Sequence, residues 1–167
     1  MAESPVRINV GCGDKLIPGY IGIDVVDRGQ EIISDIRHIP LPDDYADEIL
    51  SVHVVEHFHR WEAQDLLKEW MRILKPGGMM VVECPNLLRV LRTVFETGVI
   101  DDQMFWWPVY GNQNLKDHLM CHKYGYIPDT LIDLMKSVGL DGVRQEPAQY
   151  KLKEKRDMRI VGVKSAS

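Results

Sequence analysis

Arg7-Ile8-Asn9-Val10-Gly11-Cys12-Gly13-Asp14, followed by Tyr20-Ile21-Gly22-Ile23-Asp24, is the stretch whose reading decides the fold. A short apolar run ends in Gly-x-Gly, and a second ends in a carboxylate. In an open α/β sheet this sets a small-residue turn and an acid side by side at the carboxyl ends of two strands, where such sheets bind nucleosides. Glycines let a ligand approach the backbone closely. The Asp24 carboxylate can accept both hydroxyls of a ribose. Gly-x-Gly alone is most often an ordinary turn; with Asp24 at the next strand end it points to a nucleoside-bearing cofactor.

Outward from this stretch, strand-like runs fall near 6–10, 20–25, 31–34, 47–53, 78–84, 142–149 and 158–164. Helical periodicity appears at 62–74, where Ala63, Leu66, Leu67, Trp70, Ile73 and Leu74 share a face, and Lys75-Pro76-Gly77-Gly78 ends it. A second helix is predicted over 86–97, capped by Asn86 and stopped by Gly98, with Leu87, Val90, Leu91 and Val94 as its core stripe. A third begins at Pro128 and ends before Gly139. The pattern predicts a Rossmann-like α/β domain. Its sheet is doubly wound, seven-stranded and mostly parallel, and its last strand, Met158 to Lys164, inserts antiparallel because it is reached through a hairpin.

With these residues in place the chain resembles the class I S-adenosylmethionine-dependent methyltransferases, over about Ile8 to Leu140. Ile8 to Gly13 is similar to the glycine-rich first motif, and Asp24 to the acid that holds the ribose. Ser34-Asp35-Ile36 matches the acid at the end of the third strand, which meets adenine. Asp47 to His57 resembles the fourth strand and its Leu-Glu-His-like ending, here Val55-Glu56-His57. Leu74-Lys75-Pro76-Gly77-Gly78 and the apolar run after it match the turn and fifth strand. The resemblance implies S-adenosyl-L-methionine as cofactor. The residues expected to bind it are Gly11, Cys12, Gly13, Lys15, Asp24, Val25, Asp35, Ile36 and His53.

One departure is visible. Only residues 12–19 separate the first two strands. That length spans roughly 26 Å when extended, at about 3.3 Å per residue, enough to return along a short strand but not to form a helix. The first crossover helix is therefore expected to be missing. Without its N-terminus, Lys15 and loop N–H groups are candidates to meet the cofactor's carboxylate; the competing reading of Lys15 is a solvated surface lysine. The same absence leaves an apolar strip of sheet for a partner to cover, so a homodimer is a candidate assembly.

At 167 residues, with 45% hydrophobic and 27% charged residues, the chain is expected to be one methyltransferase domain spanning 1–167. No stretch reads as a signal peptide or membrane span. Cys12, Cys84 and Cys121 are widely separated, which suits a reducing cytoplasm and offers no zinc-ligand spacing. Cys12 reads as a small residue that fits its turn rather than as a nucleophile. The net charge of −5 disfavours a nucleic-acid partner. The basic segment Lys151–Asp157 reads as a solvated hairpin, and Met1–Pro5 as a frayed terminus.

Candidate catalytic residues follow strand four: His53, Glu56 and His57, with His59 beside them. A helical turn over 53–57 would put the first three on one face, with both imidazoles at the cofactor's methyl end. A positioned base contributes about 10²–10⁴-fold. The competing readings are bracing hydrogen bonds by Glu56 and His57, and a divalent ion held by His53, Glu56 and His57 with His118 or His122. That set resembles, with His53 in place of a glutamate, the metal site of small-RNA 2′-O-methyltransferases; no metal is assigned.

Residues 98–127 lack periodicity and are read as a lid and acceptor insert, with Trp106, Trp107, Tyr110, His118 and His122 as candidate substrate contacts. A hydrophobic plug or dimer contact is the alternative. The function expected is methyl transfer to an oxygen or nitrogen atom of a small molecule or saccharide. The alternatives are a metal-assisted RNA 2′-O-methyltransferase and a non-catalytic S-adenosylmethionine-binding protein. A nicotinamide-dependent oxidoreductase is disfavoured, because the third glycine and the helix of that motif are missing.

Overall fold

The computed structural model describes residues 4–150 and 156–166. Five strands, β1 (Arg7–Val10), β2 (Ile21–Asp24), β3 (Ile32–Ile33), β4 (Ala46–Val52) and β5 (Leu74–Pro85), pair in parallel. β6 (Leu140–Glu146) joins through β7 (Asp157–Lys164), which is antiparallel to both of its neighbours. The order across the seven-stranded sheet is β3-β2-β1-β4-β5-β7-β6. This is the expected α/β sheet with its antiparallel last strand. β5 starts earlier than expected: Leu74 already pairs with Ala46, and a register shift follows before Glu48 meets Met79.

One face of the sheet carries the main core. Ile8 and Val10 of β1, Ile49 of β4, Met80 and Val82 of β5 and Ile160 of β7 point to it. α1 (Arg60–Ile73) packs there through Leu66, Leu67, Trp70 and Ile73, all buried. Each such side chain stabilises the fold by about 1.5–3 kcal/mol through burial. α1 starts where the Glu62 carboxylate accepts the His59 N–H at 2.9 Å. It also organises the loop after β3. The Trp70 Nε1–H donates to the Ile36 carbonyl at 3.1 Å, and Arg72 bonds the carbonyls of Ile39 and Leu41.

The opposite face holds a smaller cluster, Leu50, Val81 and Val161, closed by Ile17 and Tyr20 of the loop after β1 and by Tyr150. Residues 12–19 contain no helix, as expected, and this loop does the covering. Tyr20 Oη–H donates to Glu48 at 2.6 Å and lies 3.2 Å from Tyr150 Oη. The loop thus buries the strip of sheet that the missing helix would have left bare.

Two expectations are corrected. α2 (Leu87–Thr97) begins at the Asn86 cap and ends at Gly98, whose φ is +68°, but its stripe is not core. Among its residues only Val90 is fully buried, and Leu88, Leu91 and Phe95 are exposed. The helix leaves the sheet at the end of β5 and packs on residues 102–110 instead. Second, Arg156 and Asp157 are buried rather than solvated; Lys151–Lys155, the rest of the basic segment, and residues 1–3 of the terminus lie outside the described residues. α4 (Pro128–Ser137) buries Leu131 and Met135 and starts at Pro128 as expected.

The insert 98–127 is built from short pieces. A π-turn at Asp102–Trp106 runs into α3 (Trp107–Tyr110), and 3-10 turns follow at Gln113–Leu115 and His118–Met120. Its far end is stitched down: the N–H groups of Lys123 and Tyr124 donate to the Glu56 carbonyl at 2.8 and 3.3 Å.

Candidate active site

The turn after β1 is shaped by its glycines. Gly11 has a φ of +65°, and a Cβ there would fall 2.6 Å from Val54 Cγ2, so both its conformation and its neighbour require glycine. Gly13 has a φ of +56° and open space where a Cβ would stand. Its N–H donates to Asp24 Oδ2 at 2.9 Å, and Asp24 Oδ1 accepts the Val26 N–H at 3.0 Å. The carboxylate is thus held in place by backbone on either side, with further lone pairs on each oxygen. Burial and the charge of Asp24 push the Cys12 thiol up to about 11. It is a neutral, packed side chain.

After β3, Arg37 grips Asp35. Its Nε lies 3.0 Å from each carboxylate oxygen and its second terminal nitrogen 2.6 Å from Oδ2, which holds the carboxyl below its usual range. Ile36 beside it is buried and tied to Trp70.

These elements border one cavity of about 440 Å³ across the carboxyl ends of β2, β1 and β4. Asp35, Ile36 and Arg37 form one end; Asp24 and Val25 follow; Gly11, Cys12, Gly13 and Lys15 form the middle. At the β4 end stand His53, His57 and Phe58, and from the insert Leu119, Met120 and Lys123. All nine residues assigned to cofactor binding thus line this cavity.

The turn after β4 is strained and charged. His53 has a φ of +56°, rare for a residue with a side chain. Its N–H donates to the Glu83 carbonyl at 2.8 Å. Its Nδ1 is 3.1 Å from Glu56 Oε1, and its Nε2 is 3.1 Å from Asp157 Oδ2. Burial disfavours the imidazolium, but the two carboxylates outweigh it and raise His53 above its ordinary value. Burial would likewise raise the Glu56 carboxyl, yet the bond from His53 and the nearby His57 and His122 hold it at about 2. Both ring nitrogens of His53 are thus engaged by carboxylates. His57 lines the cavity, with Nδ1 3.2 Å from the Cys121 carbonyl. Glu56 itself is buried behind the wall.

The candidate substrate contacts separate. His122 joins the turn: its ring is 4.7 Å from that of His57 and perpendicular to it, and its Nε2 is 3.9 Å from Glu56 Oε1. His118 is exposed and lines neither cavity. Trp106, Trp107 and Tyr110 line a second cavity of about 430 Å³ on the insert, with Asp102, Gln113 and Asn114. Trp106 and Tyr110 are stacked at 6.1 Å.

Several residues of this region carried no local signal. Asp157 is far from His53 in sequence, and Arg156 bonds it at 2.8 Å. Glu83, inside the apolar fifth strand, pairs with Arg159 at 2.9 Å and accepts the N–H groups of Gln149 and Tyr150, so it fixes Tyr150 on the cavity wall. A charge in the middle of an apolar strand was the available sign for Glu83.

Comparison with known proteins agrees with this geometry. The methyltransferase domain family matches residues 9–82, from β1 into β5. A Mycolicibacterium smegmatis protein described as a probable S-adenosylmethionine-dependent methyltransferase is 39% identical over 57 residues, which are 31% of this chain and 21% of that one. The chain thus spans about a fifth of the curated relative it matches. A Methanosarcina mazei S-adenosylmethionine-dependent methyltransferase superposes with a TM-score of 0.66 at 14% identity, covering 100% of this chain and 95% of that one. The Burkholderia thailandensis 1,6-didemethyltoxoflavin-N1-methyltransferase, solved with S-adenosylhomocysteine, gives 0.65 at 13% identity, covering 96% and 71%. The cofactor of these proteins suits the residues present: Asp24 keeps lone pairs toward the cavity, and Gly13 leaves open space beside it. The motifs in order along β1 to β5, the family match over residues 9–82 and the shared fold make the chain similar to S-adenosylmethionine-dependent methyltransferases.

Proposed function

We propose that this protein is a cytoplasmic enzyme that methylates an oxygen or nitrogen atom of a small molecule or saccharide. The observation that carries the reading is the cavity at the strand ends, with acids at its β2 and β3 end and His57, Phe58, Met120 and Lys123 at its β4 end. Its volume of about 440 Å³ is in the range of small-molecule sites, about 300–1,000 Å³. When bound, S-adenosylmethionine supplies an electrophilic methyl group on a sulfonium. Asp24 accepts the ribose hydroxyls, Asp35 and Ile36 meet the adenine, and Lys15 with the loop amides meets the carboxylate. Phe58, Leu119 and Met120 exclude water from the β4 end and orient the acceptor there. Holding two groups in reacting geometry contributes about 7–11 kcal/mol, so positioning alone carries much of the rate.

The second cavity supports the saccharide part of the reading. Trp106 and Tyr110 offer flat apolar surfaces, and Asp102, Gln113 and Asn114 offer hydroxyl partners beside them. The net charge of −5 speaks against a polyanionic acceptor. No helix among the described residues is long and apolar enough to cross a membrane. The exposed row of Leu88, Leu91, Phe95, Val99 and Ile100 supports a homodimer, formed through α2 rather than through the sheet. A second reading, cofactor binding without turnover, is favoured by the engagement of both His53 nitrogens, which removes one candidate base.

The test is transfer of a labelled methyl group from S-adenosylmethionine to a panel of sugars, amines and phenols, beside calorimetry with S-adenosylhomocysteine. Binding with transfer to a panel member supports the first reading. Binding without transfer to any member favours the second, and no binding removes both.

A further inference from the structure

Glu56, His57 and His122 meet at the β4 end of the cavity, where one ligand-type atom of each lies within 4.8 Å of the others. They come from two separate elements, the 3-10 turn after β4 and the end of the insert.

Each is aimed by a partner behind it. His57 Nδ1 is 3.2 Å from the Cys121 carbonyl, and His122 Nδ1 is 2.9 Å from the Pro108 carbonyl. A carbonyl oxygen only accepts, so both rings carry their proton on Nδ1 and keep a lone pair on Nε2. Glu56 is 2% exposed; its Oε1 faces His53, and its Oε2 has no hydrogen-bond partner among the described residues. Buried carboxylate oxygens are rarely left bare. His53 is in turn held by Asp157, and Asp157 by Arg156 at 2.8 Å. Ligating histidines characteristically donate their second nitrogen to a carbonyl or carboxylate, and ligating carboxylates are themselves hydrogen-bonded. The arrangement has that form throughout, with His53 as a positioning residue.

The geometry points to a site for one divalent transition-metal ion held by the Glu56 carboxylate, His57 Nε2 and His122 Nε2. Two imidazoles and one carboxylate suit zinc, manganese or cobalt(II) better than magnesium or calcium. Three protein ligands leave coordination positions open, and His57 places the site on the cavity wall. An acceptor hydroxyl bound at an open position would lose its proton more readily. That role rests on the methyltransferase reading; the binding of the ion does not. The set that the sequence offers for a metal includes His53. The structure engages His53 with Glu56 and Asp157 instead, and leaves His118 outside.

The experiment is calorimetry on the chelator-treated full chain with Zn²⁺, Mn²⁺ and Co²⁺, with the visible spectrum of the Co²⁺ form as a second readout. S-adenosylhomocysteine binding is measured on the same samples. One equivalent of ion is expected, with affinity at least tenfold weaker in Glu56→Gln and in His122→Asn, and unchanged in His38→Asn. The melting curve of each variant shows whether it is folded, and His122→Asn, at the insert end, decides the matter if Glu56→Gln is not. No bound ion, or an affinity that survives both substitutions, overturns the site. If that happens while S-adenosylhomocysteine still binds, the methyltransferase reading stands alone; ion binding without it leaves the site standing and removes that reading.

Discussion

His53 and Asp157 are 104 positions apart, and His53 Nε2 lies 3.1 Å from Asp157 Oδ2. The contact joins the turn after β4 to the start of β7, and Arg156 extends it to the Gln103 carbonyl of the insert at 3.0 Å. Asp157 is 1% exposed, so its loss strands buried partners. Removing one member of a buried charge pair costs about 3–5 kcal/mol. Asp157→Ala is expected to lower the unfolding free energy by about that amount in urea titrations. A loss under about 1 kcal/mol would show that the contact is incidental.

Asp24 is fixed before any ligand arrives, by the N–H groups of Gly13 and Val26. Hydrogen bonds to a charged acceptor contribute about 1.5–3 kcal/mol. Asp24→Ala should therefore weaken S-adenosylmethionine and S-adenosylhomocysteine by about tenfold or more in calorimetry. Unchanged affinity would remove the anchor of the cofactor assignment.

The insert 98–127 is expected to order when cofactor and acceptor bind. Apart from Lys123, its contribution to the cavity wall, Asp117, Leu119 and Met120, sits on a single 3-10 turn and the residue before it. Its end is already tied, since the N–H groups of His122, Lys123 and Tyr124 are bonded to carbonyls of Tyr110 and Glu56. Hydrogen exchange should be fast over 98–121 in the free protein and slowed by ligand, while 122–124 stay protected in both states. Equal protection of 98–121 in both states would mark a fixed plug.

Glu69 links α1 to the loop after β3, accepting from Arg72 and from the Ile39 N–H at 2.8 Å. The Arg72 bond holds its carboxyl below the usual range, and Lys75 does the same for Asp47. A carboxyl depressed in the folded state stabilises the fold above its unfolded pKa, about 4, and that contribution disappears as pH falls through the folded value. The melting temperature should drop steeply below about pH 4. Glu69→Gln should flatten that drop; an unchanged profile in the variant would show that other groups control it.

Cys12 should be chemically quiet, because burial and Asp24 push its thiol up to about 11. The thiolate is the reactive form. Peptide mapping after iodoacetamide at pH 8 is expected to show Cys121, which is only partly buried, modified well before Cys12. Faster labelling of Cys12 would reopen its role in the cofactor turn.

Much was legible in local sequence because it is decided locally. The short apolar runs of β1 and β2, the helical stripe from Ala63 to Ile73, the Asn86 and Gly98 caps and the Pro128 start depend on neighbours a few positions away. The short crossover at 12–19 was readable too, since chain length alone forbids a helix there. The glycine turn, Asp24 and Asp35 border one cavity because a parallel sheet puts the ends of its strands on one edge.

What the tertiary structure alone decided is which side chains face one another across long separations. Period and spacing placed His53, Glu56 and His57 together but could not say that His53 turns back onto Asp157, that His122 rather than His118 completes the group, or that Trp106 and Trp107 line a cavity of their own. Nor did the α2 stripe reveal that its apolar face stays open, because periodicity marks which residues share a face and not what lies opposite. Local pattern fixes the elements; the buried polar partners that set the chemistry are chosen by packing, where each group must find its counterpart wherever in the chain that counterpart lies.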